Sequence, residues 1–192
     1  MLKIGITGGI GVGKTYVSNI IEKMGYPVFY ADQTAKDLVK SDYKLIDSIK
    51  KEFGQDIFLN EKIDSKKLSN IVFGDSNALN KLNSIIHPFV FEKFAEWCKN
   101  QKNQKIVFKE AAILFESKSN LDLDKVICVS ADKTIRIDRI KLRDGRSEKE
   151  INQIISKQMD QLEKEKLSDF IIKNNGKESI LLQLTNILNN LE

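Results

Sequence analysis

The chain has 192 residues, 41% of them hydrophobic and 30% charged, and its 31 basic and 27 acidic side chains leave a net charge of +4. A chain of this length can bury a core of its own as one domain with a small appended part, which excludes wholesale disorder and a multidomain arrangement. No run reaches the ~18 apolar residues of a membrane span, Met1 to Ile6 is too short for a signal peptide, and the positive surplus is too small and dispersed to argue for nucleic acid; a cytoplasmic protein with neither membrane nor nucleic-acid partner is expected.

The first strand is expected at Lys3 to Thr7, a short β-branched and apolar run that stops at Gly8. Val17, Ile20, Ile21 and Met24 then fall at i, i+3, i+4 and i+7, the spacing of one helix face, and Gly25 supplies the stop. Pro27 to Tyr30 reads as a second strand ending at Ala31-Asp32. From Asp32 to about Asn103 the signals are mostly helical: Leu45 to Phe53, Asp64 to Phe73 with Asp64 as N-cap, and Ala78 to Ile86 closed by His87-Pro88. Ile106 to Phe108 and Val126 to Val129 are further strands, and the first runs into Glu110 to Phe115. Lys133 to Leu142 and Glu148 to Gln161 have helical patterns, Phe170 to Ile172 is a last strand, and Ser179 to Leu191 a last helix. Cys98 and Cys128 lack C-x-x-C spacing and are expected as buried thiols.

Short apolar strands alternating with helices imply an α/β fold, a parallel sheet with helices on both faces. The helical stretch between the second and third strands is too long for a simple crossover, so it is expected to stand off the sheet as a substrate-side subdomain. The expected division of the single domain is a core of residues 1–32, 104–131 and 168–192, a helical subdomain of about 33–103 and a lid of about 132–167.

Gly8-Gly9-Ile10-Gly11-Val12-Gly13-Lys14-Thr15 matches G-x-x-x-x-G-K-[ST] between an expected strand and an expected helix, the context this phosphate loop requires. Its glycines let successive amides turn inward on a phosphate, the helix start adds its dipole, Lys14 brings an ammonium to the β- and γ-oxygens, and Thr15 offers a hydroxyl to Mg²⁺. A dinucleotide fingerprint is refused by spacing, because with Gly9 and Gly11 as its first glycines the third falls at Lys14.

Asp32 at the end of the second strand can orient or deprotonate an acceptor hydroxyl, or cap the helix that follows. All four arginines, Arg136, Arg139, Arg143 and Arg146, lie within eleven residues. The first three share a helix face, which suits a polyphosphate clamp, with a surface helix salt-bridged to Asp132, Asp138 and Asp144 as the lesser alternative. An N-K-x-D guanine-reading segment is absent, which points away from a signalling GTPase and toward a small phosphotransferase. His87, the only histidine, suits a helix end before Pro88, and Phe115 suits a core aromatic.

In their order along the chain these residues resemble the dephospho-coenzyme A kinase family. Ile6 to Thr15 is similar to its T-G-G-I-G-S-G-K-S, Ala31-Asp32 to the end of its D-A-D, and Ile86-His87-Pro88 to its H-P step. Ile113-Leu114-Phe115-Glu116 is similar to its P-L-L-F-E, Arg139 to Gly145 to its R-x-x-x-R-D-G, Gln158-Met159 to its Q-M, and Asp169 to Gly176 to its D-x-x-I-x-N-N-G. Tyr30, Ala112, Lys109-Glu110 and Ile154 depart from the residues common in the family at those places.

The resemblance implies a P-loop NTPase-type three-layer sandwich with a five-stranded parallel sheet, in which the helical subdomain binds CoA. It implies ATP-dependent phosphorylation of the ribose 3′-hydroxyl of dephospho-CoA, with Mg²⁺ as cofactor, ATP and dephospho-CoA as partners and no obligate protein partner. Lys14, Asp32 and Arg139 would be catalytic, with Mg²⁺ on Thr15. Gly9, Gly11, Val12, Gly13, Lys14, Thr15, Tyr16, Arg139, Arg143 and Asn175 would bind ATP, and Thr7, Asp32, His87, Phe115 and Glu116 the acceptor. A nucleoside or nucleoside-monophosphate kinase is the alternative enzyme, and a nucleotide-dependent switch the alternative from another class.

Overall fold

Hydrophobic runs and caps set the elements of the chain, whose computed structural model describes residues 1–59 and 62–191. In order they are β1 (Leu2–Thr7), α1 (Lys14–Lys23), β2 (Val28–Tyr30), α2 (Ala31–Ser41), α3 (Tyr43–Phe53), β3 (Phe58–Leu59), β4 (Lys62–Ile63), α4 (Ser65–Gly74) and α5 (Ser76–Asn100). Then come β5 (Ile106–Glu110), a 3₁₀ turn (Ser119–Asp122), β6 (Lys125–Ser130), α6 (Lys133–Asp144), α7 (Glu148–Ile155), α8 (Gln161–Lys166), β7 (Phe170–Lys173) and α9 (Ile180–Asn189). Two compact units result, one of Met1–Tyr30 with the stretch from Gln101 onward, the other Ala31–Asn100.

The first unit is the expected α/β layer structure. Its sheet has five parallel strands in the order β2-β5-β1-β6-β7, and β1 pairs on one side with β5 and on the other with β6. Strands covered on both faces read as continuous apolar runs, which is why Ile4, Ile6, Phe108, Ile127 and Val129 are all wholly buried. They pack with Val17 and Ile21 of α1 and Leu184, Ile187 and Leu188 of α9 into one core. Because all five strands are parallel, their carboxyl ends share one edge of the sheet, where an α/β sheet places its ligand crevice.

The second unit packs α2, α3 and α4 against the long α5. Asp42 caps α3 by accepting from the Leu45 amide at 3.0 Å, and Asp64 caps α4 by accepting from the Lys66 amide at 2.9 Å, as its sequence position predicts. The β3–β4 hairpin is too short to leave a pattern in the sequence.

Three expectations are corrected here. Helix α5 does not close at His87-Pro88 but runs for 25 residues through the proline. Leu82, Ile86, Val90, Phe94 and Cys98 recur every fourth residue across it, and four of the five are buried, so one apolar ridge spans the break and outweighs the cost of about 3 kcal/mol for an interior proline. Ser84 and Pro88 face solvent, where water can satisfy the carbonyl that proline leaves without a donor. The expected helix over Glu148 to Gln161 is two helices, because the Asp160 carboxylate accepts from the Leu162 amide at 2.9 Å and so starts α8 afresh. Finally, α2 begins at Ala31 with no loop after β2, so Asp32 stands in its first turn rather than at a strand end or an N-cap. A carboxylate there is favoured by the helix dipole. Among the described residues no helix is long and apolar enough to cross a membrane.

Candidate active site

The loop between β1 and α1 owes its shape to backbone that only glycine adopts readily. Gly13 precedes α1 at φ 92° in the left-handed region, and a Cβ there would strike the Asn174 carboxamide. Gly13 has no side chain to cap the helix, so the amides of Gly13, Thr15 and Tyr16 carry no hydrogen bond to any described residue. These first-turn donors, with the dipole behind them, form an anion-binding cradle. Lys14 Nζ lies over it, donating to the Gly8 carbonyl at 2.9 Å.

Positive charge is concentrated on this loop from α6. The Arg136 side chain is 5% exposed, and its Nε donates to the Ile10 carbonyl at 2.9 Å. Burial pulls this guanidinium below its ordinary pKa, while Asp160 opposes the fall. Arg139 forks between two segments: Nη1 donates to the Val12 carbonyl at 3.3 Å and Nη2 to the Asn174 carbonyl at 2.9 Å. Asn174 is itself buried and donates to the Val12 carbonyl at 2.8 Å. The two readings of the arginine helix therefore divide along its length. Arg136 and Arg139 grip the loop, whereas Arg143 and Arg146 ion-pair with Asp144 at 2.7 and 3.8 Å. Asn175 pairs with Asp132, its Nδ2 donating to Oδ1 at 3.0 Å.

The acceptor-side residues that the sequence singles out in this unit differ in their surroundings. Thr7 ends β1 wholly buried, and its hydroxyl has no hydrogen-bond partner among the described residues. Phe115 is half-buried in the turns after β5. Glu116 Oε1 accepts from the Met159 amide at 2.9 Å and from Lys164 Nζ at 2.7 Å. Cys128 is fully buried, and burial pushes its thiol up to about 11, so it is inert as a nucleophile.

A model of the dephospho-CoA kinase family matches residues 2–179 of the chain. The chain belongs to the dephospho-CoA kinase family. A dephospho-CoA kinase of Oceanobacillus iheyensis is 37% identical over 191 residues, covering 97% of this chain and 96% of that protein. One of Bacteroides fragilis is 34% identical over 187 residues, covering 97% and 91%. The solved structure of a dephospho-CoA kinase from Campylobacter jejuni superposes with a TM-score of 0.69 at 27% identity, covering 98% of this chain and 96% of that one.

In this dephospho-CoA kinase fold the phosphate loop, Lys14, Arg139 and the Asn174-Asn175 turn come together in the first unit. Asp32 and His87 belong to the second: Asp32 is exposed in the first turn of α2, and His87 is half-buried in mid-α5. Sequence reasoning missed Gln158, Gln161 and Lys164 as contributors to the site. Lys164 is wholly buried and also donates to the Ala112 carbonyl at 2.7 Å. Gln158 left a trace in the Q-M likeness; Lys164 and Gln161 left none, since their partners are remote in sequence.

Proposed function

We propose that the chain transfers the γ-phosphoryl group of ATP to the ribose 3′-hydroxyl of dephospho-CoA, giving CoA and ADP. The observation that carries this reading is the family match over residues 2–179, a span that includes the phosphate loop, the arginine helix and the Asn174 turn. Neither a nucleoside kinase nor a nucleoside-monophosphate kinase is favoured, because relatives aligned over nearly the whole chain carry the dephospho-CoA kinase name.

Phosphoryl transfer asks a protein mainly to position two substrates and to neutralise oxygens, and the first unit is equipped for that. The loop from Gly9 to Tyr16 wraps the phosphates and offers them the amides of Gly13, Thr15 and Tyr16, Lys14 neutralises the β- and γ-oxygens, and Arg139 and Arg143 close over ATP, with Asn175 beside the adenine. Asp32 takes the proton of the 3′-hydroxyl as its oxygen bonds to phosphorus and the β–γ bridge breaks. Thr7, His87, Phe115 and Glu116 are assigned to the acceptor. Thr15 suits Mg²⁺: its side chain is exposed beside Lys14, and its hydroxyl makes no hydrogen bond to a described residue. The described residues hold no group of three or more His, Cys, Asp or Glu able to bind a metal, which matches an ion that arrives on nucleotide phosphates and takes one or two protein ligands. When bound, Mg²⁺ neutralises developing charge on the β- and γ-phosphates.

ADP release measured with and without dephospho-CoA tests the reading: release should require dephospho-CoA and magnesium. A rate that responds instead to nucleosides or nucleoside monophosphates would overturn it, as would slow hydrolysis indifferent to any acceptor. In the same assay Asp32→Asn should lower kcat by about 10²-fold or more with ATP affinity unchanged, the scale of losing a general base. Arg139→Lys keeps the charge but loses the fork between Val12 and Asn174, so KM for ATP should rise several-fold, about the worth of one charge-assisted hydrogen bond.

A further inference from the structure

Two carboxamides hold the first half of the phosphate loop from outside. The Gly9 amide donates to Gln161 Oε1 at 2.9 Å, and the Ile10 amide donates to Gln158 Oε1 at 2.9 Å. Both glutamines sit at the bend between α7 and α8, about 150 residues away in sequence. On the other side Arg136 takes the Ile10 carbonyl, and a Cβ at Gly9 would strike the Arg136 guanidinium and come within 3.2 Å of Gln161 Oε1. The Gly9-Ile10 backbone is thus gripped at both N–H groups and the Ile10 carbonyl by three long side chains, while Lys14 Nζ reaches the Gly9 carbonyl at 3.4 Å.

The bend that carries the glutamines is pinned in turn. Gln161 Nε2 donates to the Val129 carbonyl and to Glu165 Oε1, both at 3.2 Å, which fixes the direction of its Oε1. The Met159 amide and Lys164 Nζ both donate to Glu116 Oε1, and the Lys164 ammonium is wholly buried. Hydrogen bonds therefore tie the turns after β5 to the bend, and the bend to the loop.

We infer that Gln158 and Gln161 are positioning residues for phosphoryl transfer. They satisfy the two amides at the start of the loop, so that the later amides and Lys14 meet a triphosphate already arranged, with little reorganisation at the moment of transfer. The chemistry calls for a carboxamide. It accepts an N–H as a carboxylate does, yet adds no negative charge beside the phosphates, and its second end can be tied to Val129 and Glu165. This inference rests on the kinase reading above.

The test uses Gln158→Ala, Gln161→Ala, the double variant and Gln158→Glu. Each is assayed by ADP release with dephospho-CoA, by titration with a non-hydrolysable ATP analogue and magnesium, and by thermal melting. For the double variant kcat should fall about tenfold or more and the analogue should bind about tenfold more weakly, while KM for dephospho-CoA stays within about twofold. The single losses should not add, because both side chains hold one stretch of backbone. Gln158→Glu keeps the acceptor, so its kcat should stay above that of Gln158→Ala, while its weakened analogue binding should grow milder as salt is raised and screens the added carboxylate from the phosphates.

Unchanged kcat and affinity in a folded double variant would overturn the inference. So would a rate loss fully accounted for by the unfolded fraction, or tighter analogue binding, which would mean that nucleotide displaces the carboxamides. A wild-type chain that binds the analogue but releases no ADP with dephospho-CoA would instead sink the functional reading, and the affinity arm would still decide the role of the glutamines.

Discussion

Lys14→Ala is expected to lower kcat by about 10²–10³-fold, the scale seen when one preorganised charge-stabilising donor is removed from a transition state. The Lys14 ammonium is held at the loop by the Gly8 carbonyl 2.9 Å away, and it is the cation of the loop's own sequence. The amides at the start of α1 and the fork of Arg139 survive the substitution, so affinity for ATP should fall much less than kcat. Steady-state ADP release beside analogue titration separates the two. Near-normal turnover would mean that the loop does not hold the transferring phosphate, and the proposed function would lose its chemistry.

Glu116→Ala is expected to destabilise the fold by about 3 kcal/mol, the lower end for breaking a buried ion pair. The lower end applies because the Glu116 side chain keeps 24% exposure, while Lys164, its partner, has none. The substitution leaves the ammonium with the Ala112 carbonyl as its hydrogen-bond partner among the described residues and takes the acceptor from the Met159 amide. For a chain of this size that corresponds to a fall in Tm of roughly 6–12 °C, readable by calorimetry or a thermal melt. Replacing both partners by apolar residues of similar volume should recover much of the loss, since the buried charge goes with its partner. An unchanged melting temperature would show that water reaches the Lys164 ammonium. Rate should suffer too, because the same carboxylate pins the bend that carries Gln158 and Gln161.

What the sequence made legible was whatever is encoded locally. The phosphate loop is a spacing of glycines before a lysine, and the cap Asp64 acts within three residues of itself. Strands buried on both faces announce themselves as apolar runs, and five of the seven were found that way. Features that depend on remote partners stayed hidden. Helical spacing puts Arg136, Arg139 and Arg143 on one face, but it cannot say that the first two reach loop carbonyls while the third turns back to Asp144. Pro88 is a local stop signal, overruled by an apolar ridge whose worth comes from the neighbouring helices. Lys109 and Glu110 are charged residues inside a buried strand, and Lys164 is a lysine with no exposed surface; composition offers no warning of either. The family likeness located Glu116 and Gln158, yet the internal bonds of both became visible only with the fold.

The pairing of the central strand has a consequence for synthesis on the ribosome. Leu2 is in register with Ile106, and Ile4 with Lys125, so β1 emerges with neither neighbour available. At about 5–20 residues per second, roughly 5–20 s pass before β5 follows it. During that delay Ala31–Asn100, whose helices contact one another, is translated in full and can collapse alone. Strand β1, meanwhile, is an apolar segment waiting for partners, a stretch where a chaperone would bind and where misassembly would begin if none did.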